Sequence, residues 1–237
     1  MIRMIRNFLF SFFFFMGIFL ISILFLPSFF LPRKIVLLGG KIMGHWSSLC
    51  LRIFLSTKII IKGKENMITD EKFFIASSHQ SMFETFYLQT IFNSPRFILK
   101  KELLKIPVFG WYLNKIGSIS INRNKTTKDN LGFFDQISHY MINEPNRPLI
   151  IFPQGTRLNP NDRLPFKKGA GRIYDELKIK CQPVAINSGY TWPKRGRKKS
   201  NLNLTVSILK PIESGMNKND FLNTLQKDIY SELDKLH

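Results

Sequence analysis

The sequence predicts an α/β domain with a mainly parallel mixed sheet covered by helices, preceded by a membrane-associated pair of helices. Three observations lead to this fold class. From residue 58 onward, short apolar runs typical of buried strands alternate with helical stretches, which favours parallel strands joined by helices. Residues 7–32 carry no charge, and the next segment repeats its polar residues at helical spacing. We therefore expect a two-helix anchor over residues 1–57 and one α/β domain over residues 58–237.

The charge-free stretch is long enough for a helix that crosses the ~30 Å hydrocarbon core of a membrane. A cleaved signal peptide is the alternative, but its apolar region usually has only about 7–15 residues. Pro27 and Pro32 should end or kink the helix. The sequence therefore favours a retained membrane helix.

The following segment, 33–55, predicts an amphipathic helix with a narrow basic stripe. Its polar residues lie within about 60° of one another on a helical wheel, and they are Lys34, Lys41, His45, Ser48 and Arg52. Such a helix is typical of a membrane interface, and a buried helix of the domain is the alternative. The pair of helices could span the membrane or dip into one leaflet as a hairpin, and the sequence leaves both possibilities open.

The elements of the domain follow from apolar patterning. The predicted strands are 58–62, 73–76, 118–121, 149–152, 183–186 and 202–208. The predicted helices are 80–92, 127–142, 167–178 and 219–236.

The composition bounds the function. Hydrophobic residues make up 44 % of the 237 residues, which excludes a wholly disordered chain. The 35 Lys and Arg outnumber the 16 Asp and Glu, and the net charge of +19 favours nucleic acid, an acidic membrane surface or phosphorylated substrates as partners. Cys50 and Cys181 lie far apart in sequence, so we expect neither a disulfide nor a zinc site. This use of cysteine fits a protein in a reducing compartment.

A histidine lies between a predicted strand and a predicted helix, in the segment Ser-His-Gln-Ser-Met-Phe-Glu, 78–84. Open α/β sheets usually bind ligands at such strand ends, where His79 could act as a general base. Glu84 could orient its ring, provided that His79 precedes the first turn of the helix. Ser81 and Glu84 also read as a capping box, which is an equally good explanation of these residues.

A second segment, Phe-Pro-Gln-Gly-Thr-Arg at 152–157, follows another buried strand. Gly155 allows the backbone to approach a ligand, and Arg157 has a planar fork suited to a phosphate. An ordinary β-turn with a solvated arginine is the alternative. Lys100, Lys101 and Arg123 are further basic residues near strand ends, each of which could equally be a solvated charge.

Taken together and in this order, the segments resemble the glycerolipid acyltransferase family, which includes the 1-acyl-sn-glycerol-3-phosphate acyltransferases. The family's Asn-His-x4-Asp block is similar to 78–84, its Gly-x-Ile-x-Ile-Asp-Arg block to 117–123, and its Phe-Pro-Glu-Gly-Thr-Arg block to 152–157. The lead-in Lys-x-x-Leu-x-x-x-Pro-x-x-Gly matches 100–110, and a Val-Pro-Val-like block resembles 182–185. This chain departs from the family at Ser78 for Asn, Glu84 for Asp and Gln154 for Glu. The last change removes a charge near the expected phosphate and leaves the acceptor in question.

The resemblance implies acyl transfer from a thioester, acyl-CoA or acyl-carrier protein, to the free hydroxyl of a lysophospholipid, with no other cofactor and no metal. His79 and Glu84 would be the catalytic residues. Substrate would be bound by Lys100, Lys101, Arg123, Gly155, Thr156 and Arg157. Because acyl thioesters are cytoplasmic, we expect the chain in a bacterial inner membrane with its domain on the cytoplasmic face.

Two alternatives remain from the sequence alone. One is an acyltransferase for another lysolipid, which Gln154 keeps open. The other is a membrane-tethered nucleic-acid-binding protein, which charge alone suggests. Most of the Phe excess lies in the first 30 residues instead of on a stacking surface, so we expect no nucleic-acid partner.

The basic run 194–199 is predicted to contact anionic lipids, with a solvated loop as the alternative. The sequence does not indicate an oligomeric state.

Overall fold

A computed structural model describes residues 1–121, 132–144 and 146–236. In these ranges the helices are α1 (Ile2–Leu24), α2 (Arg33–Leu55), α3 (Phe83–Ile91), α4 (Phe109–Lys115), α5 (Phe133–Asn143), α6 (Lys168–Leu177) and α7 (Lys218–Lys235). The strands are β1 (Lys58–Lys62), β2 (Phe73–Ser77), β3 (Arg96–Lys100), β4 (Ile119–Ile121), β5 (Leu149–Ile151), β6 (Lys180–Ile186) and β7 (Asn203–Ile208). Short 3₁₀ helices lie at Leu26–Phe30, Lys64–Asn66, Lys101–Lys105 and Ser188–Tyr190.

The strands form one sheet in the order β1-β7-β6-β2-β5-β3-β4. Every neighbouring pair is parallel except β6 and β7, which are antiparallel. The predicted fold class, a mainly parallel mixed sheet covered by helices, is confirmed. All predicted strands are present, while β3 and α4 were not predicted. The first residues of the helix predicted at 127–142 lie outside the described part of the chain.

Both faces of the sheet are covered because successive strand residues point to opposite sides. In β2, Phe74 and Ala76 pack with α5, α6 and α7. Phe73 and Ile75 of the same strand pack on the other face, with α3 and the end of α2. This arrangement leaves the carboxyl ends of the parallel strands as the edge where side chains can meet a ligand.

The two predicted N-terminal helices are present, and they pack against each other. The indole of Trp46 on α2 lies over Gly17 of α1, where an added Cβ would come 2.0 Å from Trp46 Nε1. In the described ranges, α1 is the helix long and apolar enough to cross a membrane. On α2, Leu51 and Leu55 are fully buried in the core of the domain. The C-terminal part of α2 therefore fits the buried-helix alternative, and anchoring by both helices stays a prediction.

Candidate active site

Four neighbouring parallel strands bring chemically active residues to one edge of the sheet. His79 follows β2, and the segment 154–157 follows β5. Ser188 follows β6 on one side, and Lys100 ends β3 on the other. Because these strands are parallel neighbours, their carboxyl ends meet at the same edge. Segments separated by more than 100 residues in sequence thus meet at one edge of the sheet.

His79 and Glu84 face each other at this edge. The helix α3 begins at Phe83, so His79 precedes its first turn and Glu84 lies inside it, as the sequence required for the two to meet. Nδ1 of His79 lies 3.8 Å from Oε2 of Glu84. This distance exceeds a hydrogen bond, and a movement of about 1 Å would close it. Nδ1 of His79 is buried and has no hydrogen-bond partner among the described residues. The carboxylate of Glu84 is positioned to accept a hydrogen bond from it.

Glu84 also caps the helix. Its Oε1 accepts backbone N–H groups of Gln80 and Ser81 at 3.0 and 3.1 Å, and its Oε2 accepts from Ser81 at 3.1 Å. The Ser81 hydroxyl accepts from the Phe83 N–H at 3.2 Å, whereas the N-cap position falls on Met82 instead of the predicted Ser81. The capping box and the histidine–carboxylate pair, which the sequence offered as alternatives, therefore coexist. The backbone donors hold the carboxylate in its orientation toward His79.

Ser188 is a further contact of Glu84 that the sequence analysis missed. Its hydroxyl donates to Oε1 of Glu84, and both side chains are fully buried. Ser188 lies 104 residues from Glu84 and belongs to no motif singled out in the sequence. Only the pairing of β6 with β2 brings them together, so no local signal in the sequence could have identified this contact.

The face of the His79 imidazole also packs against an aromatic ring. It stacks on the ring of Phe152, with centroids 4.1 Å apart and planes at 20°. The side chain remains 15 % exposed, so a hydroxyl group can reach it from solvent. The ring is therefore restrained by Phe152 on one face and faces Glu84 through one nitrogen.

Gln154 connects the two motif segments. Its side-chain oxygen accepts the backbone N–H of His79 at 2.6 Å, and Leu158 donates its backbone N–H to the carbonyl of His79 at 2.9 Å. The Gln154 side chain also hydrogen-bonds Tyr230, whose pKa is raised by burial and lowered by this bond, with burial the stronger effect. Because Gln154 is buried and turned toward the histidine backbone, its neutral amide positions His79 and does not face the expected phosphate.

The rest of this turn is more accessible. Gly155 has φ +72°, a conformation that favours glycine. Thr156 is exposed and Arg157 is half-buried. Within the described ranges, the guanidinium of Arg157 forms no ion pair, so its charge is available to an anion. This geometry is suited to a phosphate group near His79.

The other predicted ligands lie further along the sheet. Lys100 and Lys101 are exposed at the end of β3 and the start of the 3₁₀ helix Lys101–Lys105. Among the described residues, no hydrogen bond or ion pair joins them to His79 or to the turn. Arg123 lies outside the described residues. The structure therefore brings His79, Glu84 and the Gly155–Arg157 turn together and places the two lysines at the same edge.

Comparisons with known proteins all match acyltransferases. A family model described as Acyltransferase matches residues 58–187. The 1-acyl-sn-glycerol-3-phosphate acyltransferase of Pseudomonas aeruginosa is 31 % identical over 145 residues, which cover 61 % of this chain and 55 % of that protein. The enzyme of the same name from Saccharomyces cerevisiae is 28 % identical over 190 residues, covering 75 % and 61 %, and that from Helicobacter pylori is 39 % identical over 118 residues, covering 48 % of each.

The matched region spans about half to three-fifths of the length of these curated relatives. The crystal structure of the 1-acyl-sn-glycerophosphate (LPA) acyltransferase, PlsC, from Thermotoga maritima superimposes with a TM-score of 0.78. It covers 99 % of this chain and 97 % of its own at 20 % identity. At that identity the likeness establishes the fold alone.

Proposed function

The chain belongs to the acyltransferase family, and on this premise we propose that it acylates the free hydroxyl of 1-acyl-sn-glycerol 3-phosphate to give phosphatidic acid. The names of its relatives support this acceptor. The donor we propose is a thioester, acyl-CoA or acyl-carrier protein, with no further cofactor. The observation that carries the proposal is the His79–Glu84 pair, whose histidine backbone is hydrogen-bonded to the turn that presents Arg157.

The reaction follows from the chemistry of these groups. His79 takes the proton of the acceptor hydroxyl as its oxygen forms a bond to the thioester carbonyl carbon. The C–S bond then breaks, and the imidazolium returns the proton to the leaving thiolate, so that an ester and a free thiol result. Glu84 stabilises the imidazolium and keeps its ring in place. General-base assistance of this kind contributes about 10²–10⁴-fold to the rate.

The acceptor phosphate would lie at the turn after β5. Arg157 would supply a forked, charge-assisted contact, and Gly155 would allow the backbone to approach. Lys100, Lys101 and Arg123 remain proposed ligands, on the strength of the family resemblance. Because Gln154 faces the histidine backbone, the loss of the glutamate charge gives little reason to propose a different acceptor.

A direct test incubates membranes containing the protein with labelled acyl-CoA or acyl-carrier protein and a panel of lysolipids. Mass spectrometry of the products identifies acceptor and donor together. We expect phosphatidic acid from the lysophosphatidic acid arm, and none when His79 is replaced by Ala. A product from another lysolipid in the absence of phosphatidic acid would contradict the proposed acceptor.

For the location, we propose the cytoplasmic leaflet of a bacterial inner membrane, with α1 lying along the domain. Contacts to the domain and to α2 run from Asn7, which pairs with Lys198, to the carbonyl of Ser22, which accepts the Tyr112 hydroxyl at 2.7 Å. This distance is about 22 Å along the helix. Because the domain contacts α1 over that length, we propose that α1 enters one leaflet and does not span the bilayer. Its outer side exposes apolar rings to lipid, namely Phe8, Phe12, Phe15 and Phe19.

Cysteine labelling tests this topology, since both native cysteines are buried and should react little. Arg3→Cys and Lys235→Cys would be treated with a membrane-impermeant maleimide in inverted and right-side-out vesicles. If both ends lie on the cytoplasmic side, both variants label in inverted vesicles only. Labelling of Arg3→Cys from the opposite side would establish a spanning α1 and refute the one-leaflet arrangement.

A further inference from the structure

The basic loop, residues 194–199, has contacts that the function described so far does not use. At one end, Nζ of Lys194 donates to Oγ1 of Thr156 at 3.2 Å and to the backbone carbonyl of Arg157 at 3.1 Å. At the other end, the backbone of Lys198 exchanges two hydrogen bonds of 2.9 Å with the Asn7 side chain on α1. The loop therefore connects the turn after β5 with the first helix.

Lys194 contacts the exposed part of this turn. Gln154, at the start of the turn, is buried and bonded to the His79 backbone, whereas Thr156 and Lys194 are exposed. The next residue after Arg157 donates to the His79 carbonyl. The ammonium group thus contacts the exposed part of a turn whose buried part is hydrogen-bonded to the general base.

The charge of Lys194 is held in place but not neutralised. Both partners of its ammonium are neutral oxygens, and an ammonium has three N–H donors. In the described part of the chain, neither Lys194 nor Arg157 forms an ion pair. The turn itself has no carboxylate, because Gln stands at position 154. Two unpaired cations therefore share one short turn beside His79.

We propose that Lys194 is a second cationic ligand of the acceptor phosphate and makes the site prefer a phosphomonoester to a phosphodiester. A phosphomonoester carries about −1.5 to −2 charges at pH 7, whereas a phosphodiester carries about −1. Two cations favour the more highly charged group, and the third N–H of the ammonium is available to a phosphate oxygen. This inference rests on the proposed function and extends it to the choice of head group.

The test compares Lys194→Ala with Arg195→Ala, an equal change of charge on the neighbouring exposed residue. Arg195 makes no hydrogen bond or ion pair with any residue that the structure describes. For Lys194→Ala we expect KM for lysophosphatidic acid to rise about tenfold or more, with KM for the thioester within about twofold, because a charge-assisted contact is lost. Arg195→Ala should stay within about twofold on both substrates, and Lys194→Arg should recover most of the loss.

The preference between head groups is measured with a lysophosphatidic acid and a lysophosphatidylglycerol of the same acyl chain. The ratio of their kcat/KM values should fall about tenfold in Lys194→Ala and remain unchanged in Arg195→Ala. Equal behaviour of the two variants would overturn the assignment. An equal rise of KM for acceptor and thioester would also overturn it, since it would show that Lys194 only supports the loop.

A second measurement does not depend on turnover. Lysine acetylation of the detergent-solubilised protein, read by mass spectrometry, should slow at Lys194 when lysophosphatidic acid is added and remain unchanged at Lys199. If wild-type protein forms no phosphatidic acid but Lys194 is protected, the proposed function fails and the phosphate assignment stands. If phosphatidic acid forms but Lys194 is not protected, the assignment fails and the proposed function stands.

Discussion

Replacing His79 is the most direct probe of the site at the scale of single residues. We expect His79→Ala to reduce phosphatidic acid formation by at least about 100-fold, because the lost base assistance is about 10²–10⁴-fold. The measurement is initial rate in membranes with matched protein amounts. His139→Ala, which removes an exposed histidine on α5, serves as the control and should leave the rate unchanged. Comparable rates for the two variants would exclude His79 as the base.

Ser188 gives a finer prediction, because its buried hydroxyl donates to the carboxylate of Glu84. Ser188→Ala removes one donor from Glu84, and we expect kcat to fall about tenfold or more with KM values nearly unchanged, as for a lost hydrogen bond to a charged group of about 1.5–3 kcal/mol. Thr191→Val is the matched control, since Thr191 Oγ1 is buried and has no hydrogen-bond partner among the described residues. If both variants lower kcat equally, Ser188 has no particular role in positioning Glu84.

The site was predictable from sequence to the extent that its residues lie close together in the chain. His79 and Glu84 are five positions apart, and the strand-to-helix turn that joins them could be read directly from the pattern. Gln154 is different: its role depends on a hydrogen bond to the His79 backbone across 75 residues, which only the pairing of β2 with β5 creates. The sequence therefore suggested a lost charge at position 154, where the structure shows a backbone contact.

At the scale of elements, α1 has two faces with different roles. Phe14 is fully buried against Trp192 and Phe86, whereas its neighbour Phe15 is 56 % exposed. Phe14→Ala should lower the free energy of unfolding in detergent by about 3 kcal/mol through loss of buried surface and a cavity. Phe15→Ala should change it by less than about 1 kcal/mol. Thermal or chemical unfolding of the solubilised variants measures both, and equal effects would show that α1 is not docked on the domain.

Of the two elements that the sequence analysis missed, β3 contains a buried charged residue. The strand β3 begins with Arg96 and ends with Lys100, so its charged ends resemble a surface segment. Arg96 is nevertheless buried, because its guanidinium lies 4.1 Å from the ring centre of Tyr140 and pairs with Glu144. Both partners come from the region of α5. The burial of Arg96 depends on partners distant in the chain, which a local pattern does not show, whereas β2 begins with four apolar residues and was found.

At the scale of the whole molecule, one carboxylate joins three parts of the chain. Glu144, just after α5, pairs with Arg96 of β3 at 2.6 Å, with Arg147 at 2.9 Å and with Arg33 at the start of α2. Arg33 also donates to the carbonyl of Lys115 at the end of α4. Glu144 thus ties the second helix to the far edge of the sheet.

Neutralising this carboxylate should destabilise the fold in a pH-dependent way. Burial alone would raise the pKa of Glu144, but hydrogen bonds from Arg147 and Arg33 and the charge of Arg96 outweigh it and lower the pKa below its ordinary 4.5. Glu144 therefore contributes stability above about pH 4.5, and this contribution is lost as the pH falls through the lowered pKa. At pH 7, Glu144→Gln should cost about 3 kcal/mol, because the buried Arg96 is left without its partner.

Unfolding of wild type and Glu144→Gln across a pH series measures the effect. The difference between them should shrink as the solution becomes more acidic than the lowered pKa of Glu144. Glu102→Gln, at an exposed carboxylate, is the control and should change stability little at any pH. A Glu144→Gln difference that stays constant down to pH 3 would mean that the charge of this group does not stabilise the fold.

The seating of Trp46 over Gly17, together with the contacts of α1 to the domain, holds α1 in a fixed position relative to the domain that carries His79. On the proposed function, such a protein and its acceptor meet by lateral diffusion in a plane. The rate should then follow the mole fraction of lysolipid in the surface and not its amount per volume of suspension. Diluting the acceptor with inert phospholipid at constant total lysolipid should slow the reaction. Diluting the whole suspension with buffer that contains the thioester at the same concentration should leave the turnover per enzyme unchanged.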